Sequence, residues 1–227
     1  MKNKADDTNA LRAGKAARPL CVQEATTRLR SEFPLQLRIE GASSELQAAY
    51  VQILRAWISR GEATSRTSFP PDIVPQLIAL DAIADSSAGL GCYPFSAVDS
   101  GIDVRFAQAA VHAMCAIDAL AIPMLVGAST TIKGPCDGCA RPLSVTVSRE
   151  LLRWVPAPQE PCFVHYRHHK AAPEDQCCVG LCKNIVFLCT SCAKPHTDQV
   201  LTLEEAMMVG QQFFAFQKQL LTIYPPQ

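Results

Sequence analysis

The feature that most restricts the fold of this chain is a pair of CxxC motifs far apart in the sequence. CDGC contains Cys136 and Cys139, CTSC contains Cys189 and Cys192, and 49 residues separate the two motifs. Paired CxxC motifs are the usual way to build a four-cysteine zinc site, so the intervening chain would have to return to its starting point. The pattern predicts a structural zinc in a zinc-knuckle, treble-clef-like element. An unmetallated cysteine cluster and a redox CxxC are the alternatives, although the thioredoxin-like βαβ pattern of the latter is absent.

Eleven cysteines make thiol or metal chemistry the first function to consider. The odd count argues against a framework made only of disulfides. The first 20 residues lack the apolar centre of a secretory signal, so we expect a cytoplasmic protein with reduced thiols. Cysteine is also often a small buried hydrophobe, and that interpretation suits Cys21, Cys92 and Cys162, which stand apart from the clusters.

Composition limits the size of the core and the class of partner. The chain has 227 residues, 48% of them hydrophobic, which is enough for one large domain or two small ones. Its 21 basic and 21 acidic residues balance, so neither nucleic acid nor an anionic membrane is favoured as a partner. No apolar run is long enough to span a bilayer.

The first half of the chain reads as helices followed by a hairpin. Ser43–Gly61 has one apolar face, a cap at Ser44 and a glycine stop. Phe69–Asp85 predicts a second helix, entered through proline. CYPFSAV and GIDVRF, on either side of the turn 99–101, predict a β-hairpin.

This order resembles a winged-helix module, which we place at residues 41–106 after a polar, mobile tail at 1–40. DNA binding is nevertheless not favoured. The second predicted helix contains Asp72, Asp81 and Asp85 but no Lys or Arg, whereas a recognition helix faces phosphates and needs positive charge.

The second half becomes rich in β-strand residues. After a predicted helix at about Ala107–Leu120, ended near Pro123, the short segments STTIKG, LSVTVS, CFVHYRH and NIVFLC read as strands. A last helix starts at Thr202, where Glu205 completes a capping box. Its buried stripe consists of Ala206, Val209, Phe213, Phe216 and Leu220. The predicted class is α+β, with a mixed or antiparallel sheet and flanking helices at 107–227.

Inside HAMCAIDAL, Cys115 and Asp118 are three residues apart among apolar neighbours. On a helix, positions i and i+3 share a face, so the thiol and the carboxylate can approach each other. Burial raises the pKa of both groups, and such an aspartate can exchange a proton near neutral pH. By spacing alone, a core cysteine beside a capping or salt-bridged aspartate fits equally well.

A further thiol group lies in CCVGLC, which contains Cys177, Cys178 and Cys182. On residue type alone these are loop thiols. His165, His168 and His169 are close in sequence. We interpret them as exposed polar residues rather than ligands, because no carboxylate partners stand nearby.

Together these segments resemble the organomercurial lyase (alkylmercury lyase) family. The resemblance begins at about Leu46 and is carried in order by GEATSRTSF, YPFS, GIDVRF, HAMCAIDALAIPMLVG, CARPLSVTVS, LCKNIVFL and TLEEAMMVGQQF. The strongest of these is His112–Gly127, which resembles the family's signature helix with its C-x-x-D pair. The full pair of CxxC motifs, and Met114 where an aromatic residue is common, depart from the family pattern.

The resemblance implies a catalytic and mercury-binding set of Cys115, Asp118 and Cys182. Cys178 and Cys177 remain alternatives for the second thiol, since a short shift would exchange them. Cys136 or Cys139 falls where the family carries a structural cysteine. No cofactor is implied for catalysis, apart from the structural zinc predicted at the CxxC pairs.

We therefore predict an enzyme that splits the carbon–mercury bond of alkyl or aryl mercury, releasing hydrocarbon and Hg(II). The implied partners are small thiols and mercuric reductase, to which the ion would pass. The alternative is a non-catalytic, thiol-rich protein of the same fold that binds mercury, zinc or copper. A metal-responsive regulator with the winged-helix-like module is a third possibility, which the acidic second helix disfavours.

Overall fold

The fold is described by a computed structural model that covers residues 19–107, 109–148, 154–155, 161–168 and 176–226. Within these ranges the helices are α1 (Pro19–Glu32), α2 (Leu35–Glu40), α3 (Ser44–Arg60), α4 (Ile73–Ala79), α5 (Ala116–Val126), α6 (Thr190–Ala193) and α7 (Leu203–Ile223), with 3-10 turns at Arg66–Ser68, Cys182–Asn184 and Lys194–Gln199.

The strands are β1 (Ile83–Ser86), β2 (Gly89–Cys92), β3 (Phe95–Ser96), β4 (Asp103–Phe106), β5 (Ala109–Ala113), β6 (Thr130–Pro135), β7 (Pro142–Val147), β8 (Trp154–Val155), β9 (Cys162–Tyr166), β10 (Ile185–Cys189) and β11 (Val200–Thr202). They form an eight-stranded sheet in the order β1-β2-β3-β5-β4-β6-β7-β8 and a three-stranded sheet in the order β10-β9-β11. All the pairings are antiparallel. The predicted α+β class is confirmed.

The helix predicted at Ser43–Gly61 is confirmed as α3, but its cap is one residue earlier than expected. The Ser43 side chain, rather than that of Ser44, accepts a hydrogen bond from the Leu46 backbone N–H, and Gly61 ends the helix at φ 67°. The buried face includes Tyr50, which is fully enclosed in the core. This helix thus packs as its apolar pattern predicts.

Two predictions at the start of the chain need correction. The mobile tail predicted at 1–40 is wrong for residues 19–40, which form α1 and α2 with Leu35 and Ile39 completely buried. Residues 1–18 lie outside the described residues. The apolar positions in 19–40 are spaced widely among charged residues, so their burial depends on a partner surface that the segment alone does not reveal.

The second predicted helix, Phe69–Asp85, is also wrong in its extent. Only Ile73–Ala79 is helical, because the chain turns at Asp81, whose φ is 51°. Ile83 then begins β1 and pairs with Cys92 of β2. The end of the apolar helical pattern forms a strand because it pairs with β2. The local sequence pattern does not show this pairing.

The predicted hairpin between CYPFSAV and GIDVRF is wrong. β3 pairs with β2 and β5, whereas β4 pairs with β5 and β6, so β5 lies between the two strands that were expected to pair. β5 also begins three residues beyond the boundary predicted at residue 106, and it pairs with β4 over four residues. The parts predicted as 41–106 and 107–227 therefore share one sheet, and the winged-helix resemblance stays a prediction.

The four segments that read as strands in the second half are confirmed as β6, β7, β9 and β10. The last helix is confirmed as α7, with the Thr202–Glu205 capping box present and its five predicted stripe residues all buried. α7 packs closely on α5 at Gly210, where a Cβ atom would lie 3.0 Å from the Ile117 carbonyl oxygen. Within the described residues, no helix is long and apolar enough to cross a membrane.

Candidate functional site

The helix predicted at Ala107–Leu120 is replaced by a strand and a helix that meet at Cys115. β5 ends at Ala113, and α5 starts at Ala116 and continues through Pro123 to Gly127, its C-cap. Cys115 is the N-cap, and its Sγ accepts a hydrogen bond from the Asp118 N–H over 3.4 Å. The thiol and the carboxylate are therefore neighbours, but through capping geometry rather than through a shared helical face.

Cys182 joins this pair from a distant part of the chain. It begins the 3-10 turn before β10, and its thiol donates to Asp118 Oδ2 over 3.7 Å. The Sγ atoms of Cys115 and Cys182 and a carboxylate oxygen of Asp118 all lie within 4.8 Å of one another, and all three residues are buried. The three site residues that the family resemblance implied are thus brought together, and we call them the mixed cluster.

The neighbouring thiols take different positions around Cys182. Cys177 is buried, with its Sγ 3.6 Å from that of Cys182. Cys178 is only half-buried and points to the outer cavity described below. Among the described residues, neither belongs to the group whose ligand atoms converge on Asp118, so the geometry favours Cys182 as the second thiol.

Sequence reasoning missed the residues that hold the cysteine loop in place. The Asp81 carboxylate accepts hydrogen bonds from the Cys177 N–H, at 3.1 and 3.3 Å, and from the Tyr93 hydroxyl at 3.1 Å. The Tyr93 hydroxyl in turn accepts from the Cys178 N–H at 2.9 Å. The sequence shows Asp81 only as a charge unfavourable to DNA binding, and no local pattern connects it to residues 96 positions later.

Burial sets the proton affinities in the mixed cluster. Removal from water raises the pKa of Asp118 from 3.8 to about 7, although hydrogen bonds from Cys115 and Cys182 oppose this rise. Burial, together with contacts to Cys182 and Asp118, raises the pKa of Cys115 well above its usual value. The pKa of Cys182 is also raised: hydrogen bonding with Cys115 acts to lower it, but Cys177, burial and Asp118 outweigh that effect. Near neutral pH the site therefore holds protonated thiols and a carboxyl able to give or take a proton.

Two cavities meet at the thiols. An outer cavity of about 460 Å³ is lined by Cys115 and Cys182 together with Met114, Cys178, Val179 and Lys183, among others. A much smaller inner cavity of about 10 Å³ is lined by the same two cysteines, by Asp118 and by apolar side chains that include Phe33 and Phe213. The thiols thus lie between an opening and a small, mostly apolar interior space, with the carboxyl on the inner side. A larger groove of about 730 Å³, elsewhere on the molecule, contains none of these residues.

The two CxxC motifs also come together, and we call Cys136, Cys139, Cys189 and Cys192 the four-thiol cluster. Their Sγ atoms all lie within 4.8 Å of one another, with Cys139 and Cys189 3.8 Å apart. Burial opposes ionisation of Cys136, but the backbone N–H groups of Cys189, Gly138 and Cys139 donate to its Sγ and lower its pKa to about 6. This is the electrostatic environment of a thiolate.

The histidines near the thiols do not join either cluster within the described residues. His165 is buried and its ring stacks on that of His196, 4.4 Å away between centroids. The prediction of an exposed residue is therefore wrong for His165. His168 is exposed as predicted, and His169 lies outside the described residues.

Comparison with known proteins gives two findings. The family described as alkylmercury lyase (MerB) matches residues 95–215, just over half of the chain. A solved structure, described as the mercury-bound form of MerB2, is similar in fold, with a TM-score of 0.59 and 18% sequence identity, and the match covers 87% of this chain and 99% of that one. No curated protein matches.

Proposed function

Since this chain belongs to the alkylmercury lyase family, we propose that it cleaves the carbon–mercury bond of alkyl or aryl mercury by protonolysis. The products are a hydrocarbon and Hg(II). The observation that carries the proposal is the mixed cluster, in which two thiols and one carboxyl lie within 4.8 Å of one another in a buried site.

The first step is capture of the substrate from a small thiol. Mercury is a soft metal, and sulfur is the soft ligand that binds it best. The Cys115 thiol exchanges with the carrier, so that its sulfur bonds to mercury while its proton leaves on the released small thiol. Cys115 faces the outer cavity, through which such an exchange can occur.

The second step protonates Asp118 and makes Cys182 the second sulfur ligand. The Cys182 thiol already donates to Asp118 Oδ2, so its proton passes to the carboxylate as its sulfur bonds to mercury. A coordinated thiol loses its proton readily. Asp118 is then a neutral carboxylic acid, the form that burial favours.

The third step breaks the bond. Two sulfur ligands push electron density onto mercury, and the carbon becomes basic enough to take the proton from Asp118. The electron pair of the carbon–mercury bond becomes the new carbon–hydrogen bond, Asp118 returns to its carboxylate form, and Hg(II) stays on Cys115 and Cys182. The inner cavity of about 10 Å³ leaves little room for water beside the reacting atoms.

The bound ion must leave before the next cycle. We infer that small thiols remove it through the outer cavity, and that mercuric reductase in the cytoplasm is the final acceptor. The half-buried Cys178 lies beside this path. No cofactor takes part in these steps.

The test uses the purified, reduced chain with methylmercury or phenylmercury and excess small thiol, and measures methane or benzene. Asp118→Asn should bind mercury but release hydrocarbon about 10²- to 10⁴-fold more slowly, the usual loss when a general acid is removed. In Cys115→Ser the hydroxyl can still cap α5, so the fold should persist while capture and cleavage are both lost.

Turnover by Asp118→Asn at the wild-type rate would refute the role of Asp118 as the proton donor. Cleavage by Cys115→Ser would mean that another cysteine captures the substrate. A folded wild-type chain that binds mercury yet releases no hydrocarbon from either substrate would instead indicate the non-catalytic metal-binding protein.

A further inference from the structure

The proposed chemistry leaves the four-thiol cluster unused. Its members come from two distant segments: Cys136 and Cys139 follow β6 of the large sheet, whereas Cys189 and Cys192 end β10 of the small sheet and enter α6. Four thiols that share a space less than 4.8 Å across cannot all ionise without a cation between them, because like charges at this separation repel strongly.

The geometry fits a single metal ion with tetrahedral, four-sulfur coordination. A tetrahedral site with zinc–sulfur bonds of about 2.3 Å places its sulfurs roughly 3.8 Å apart, and Cys139 and Cys189 are 3.8 Å apart. All four positions are filled by protein thiols, so no place remains for water or substrate. Closed sites of this kind are structural rather than catalytic.

The backbone around the cluster is built to support thiolates. The Cys189 N–H donates to Cys136 Sγ over 3.2 Å, and the Ala140 N–H closes the first turn on the Cys136 carbonyl at 2.7 Å. Gly138 allows the two motifs to approach, because a Cβ atom there would lie only 2.8 Å from Cys192 Sγ. Loose surface cysteines would require neither the donors nor the glycine.

We propose that Cys136, Cys139, Cys189 and Cys192 bind a structural Zn²⁺ that joins the two sheets and fixes the strand leading to Cys182. The reason lies in the chain path. β10 begins at Ile185, three residues after Cys182, and ends at Cys189. A metal at one end of this short strand therefore restrains the 3-10 turn at its other end, where Cys182 meets Asp118.

Asp137, inside the first motif, also links that motif to the small sheet through two polar contacts. The Asp137 N–H donates to the Phe187 carbonyl at 2.9 Å, and the Asp137 carboxylate pairs with Arg167 beyond β9. These contacts set the register, and the metal adds four bonds that hold it. The positional part of this inference rests on the proposed function, whereas the metal site does not.

The first experiment measures metal content in chain purified under reducing conditions with zinc present. We expect about one zinc per chain, and in Co²⁺-loaded protein the thiolate-to-cobalt charge-transfer bands of a four-sulfur tetrahedral site. The Cys139→Ser/Cys192→Ser double variant should fall to about a tenth of that content or less. Gly138→Ala should weaken binding while keeping all four ligands.

Cys162→Ala is the matched control, because Cys162 is a buried thiol that pairs directly with Cys189 across β9 and β10 but is not in the cluster. It should keep its zinc. A zinc-free wild type, or a double variant that retains zinc, would overturn the site, as would uptake of Cu⁺ or Hg²⁺ alone.

The second experiment compares amide hydrogen exchange at residues 182–189 in the zinc-loaded and chelator-treated wild type. Zinc should slow exchange there by about tenfold or more, and unchanged exchange would refute the restraint on Cys182. A chain that binds zinc with this protection but releases no hydrocarbon would leave the metal inference standing and reject the proposed function. The two failures are thus distinguishable.

Discussion

The mixed cluster and the four-thiol cluster contain the same functional group and occupy spaces of the same size, yet their surroundings act differently on the pKa values of their thiols. In the mixed cluster, burial and neighbouring acidic groups raise the pKa of Cys115 and Cys182. In the four-thiol cluster, burial opposes ionisation, but donated N–H groups lower the pKa of Cys136 to about 6, whereas hydrogen bonding with Cys189, burial and the other thiols raise the pKa of Cys192 to about 12. Under the two proposals, environment rather than cysteine content separates a reactive thiol site from a structural metal site.

The contrast follows from what surrounds the sulfur atoms. Cys115 accepts a hydrogen bond from the Asp118 N–H at the start of α5, and its other surroundings are Cys182 and mostly apolar side chains. Cys136 accepts from the N–H groups of Gly138 and Cys139 in its own turn and from that of Cys189 at the end of β10. Under the two proposals, the first arrangement keeps protons on the site until mercury displaces them, and the second holds a zinc ion.

The largest expected effect comes from replacing single thiols in and around the mixed cluster. Cys182→Ser should slow hydrocarbon release by on the order of 10³-fold or more, because the second sulfur ligand is lost, while the zinc content stays at the wild-type level. Cys177→Ser and Cys178→Ser should each cost less than about tenfold, since neither thiol belongs to the mixed cluster. Gas chromatography of the hydrocarbon, with metal analysis of the same samples, measures both. A larger loss for Cys177→Ser than for Cys182→Ser would reassign the second thiol.

An intermediate effect is expected from the pH dependence of stability. The Asp118 carboxyl keeps its proton up to about pH 7 in the folded chain but releases it near 3.8 when unfolded. Unfolding therefore becomes more favourable as pH rises through this window, and the loss is complete above it. Asp118→Asn removes this titration. We therefore expect the free energy of unfolding of the variant, relative to that of the wild type, to increase by on the order of 3 kcal/mol from pH 5 to pH 8. Urea unfolding of both proteins at each pH measures this, and a constant difference would show that burial does not raise this pKa.

The smallest expected effect concerns the support of the mixed cluster. Asp81→Asn keeps the shape but weakens the charge-assisted hydrogen bonds to the Cys177 N–H and the Tyr93 hydroxyl, at a cost of about 1 to 2 kcal/mol. Cleavage should slow by several-fold and zinc content should not change. The exposed ion-pair variant Asp85→Asn, which removes the partner of Arg66, serves as the control and should leave cleavage unaltered. Equal effects of the two variants on cleavage would show that Asp81 does not support the mixed cluster.

Part of this structure was predictable because its signals are local. The strands β6, β7, β9 and β10 have continuous β-favouring residues, and α7 has both a capping box and a long apolar stripe. The same holds for α3, where the sequence failed only in choosing between two adjacent serines. The two CxxC motifs were recognised as one group because their ligand type and count are specific.

The other elements were not predictable because their conformation depends on distant partners. Ala109–Ala113 is mostly apolar and continuous in sequence with the helix pattern that follows it, and pairing with β3 and β4 makes it a strand. The expected hairpin failed for the same reason, since β5 occupies the place between its two strands. Phe69–Asp85 was shortened by the turn at Asp81, a residue whose carboxylate is engaged by a loop far along the chain.

Sequence patterns alone indicate the residues of the proposed chemistry: a C-x-x-D pair in an apolar setting, a later cysteine group, and two CxxC motifs in a family order. Their arrangement depends on the tertiary structure. The fold makes Cys115 a helix cap rather than a helix-face residue, brings the Cys182 thiol into a hydrogen bond with Asp118, and surrounds the two clusters with different donors. The physical reason is that distances across 64 residues of chain, and the burial that shifts a pKa, depend on packing between elements that no local pattern contains.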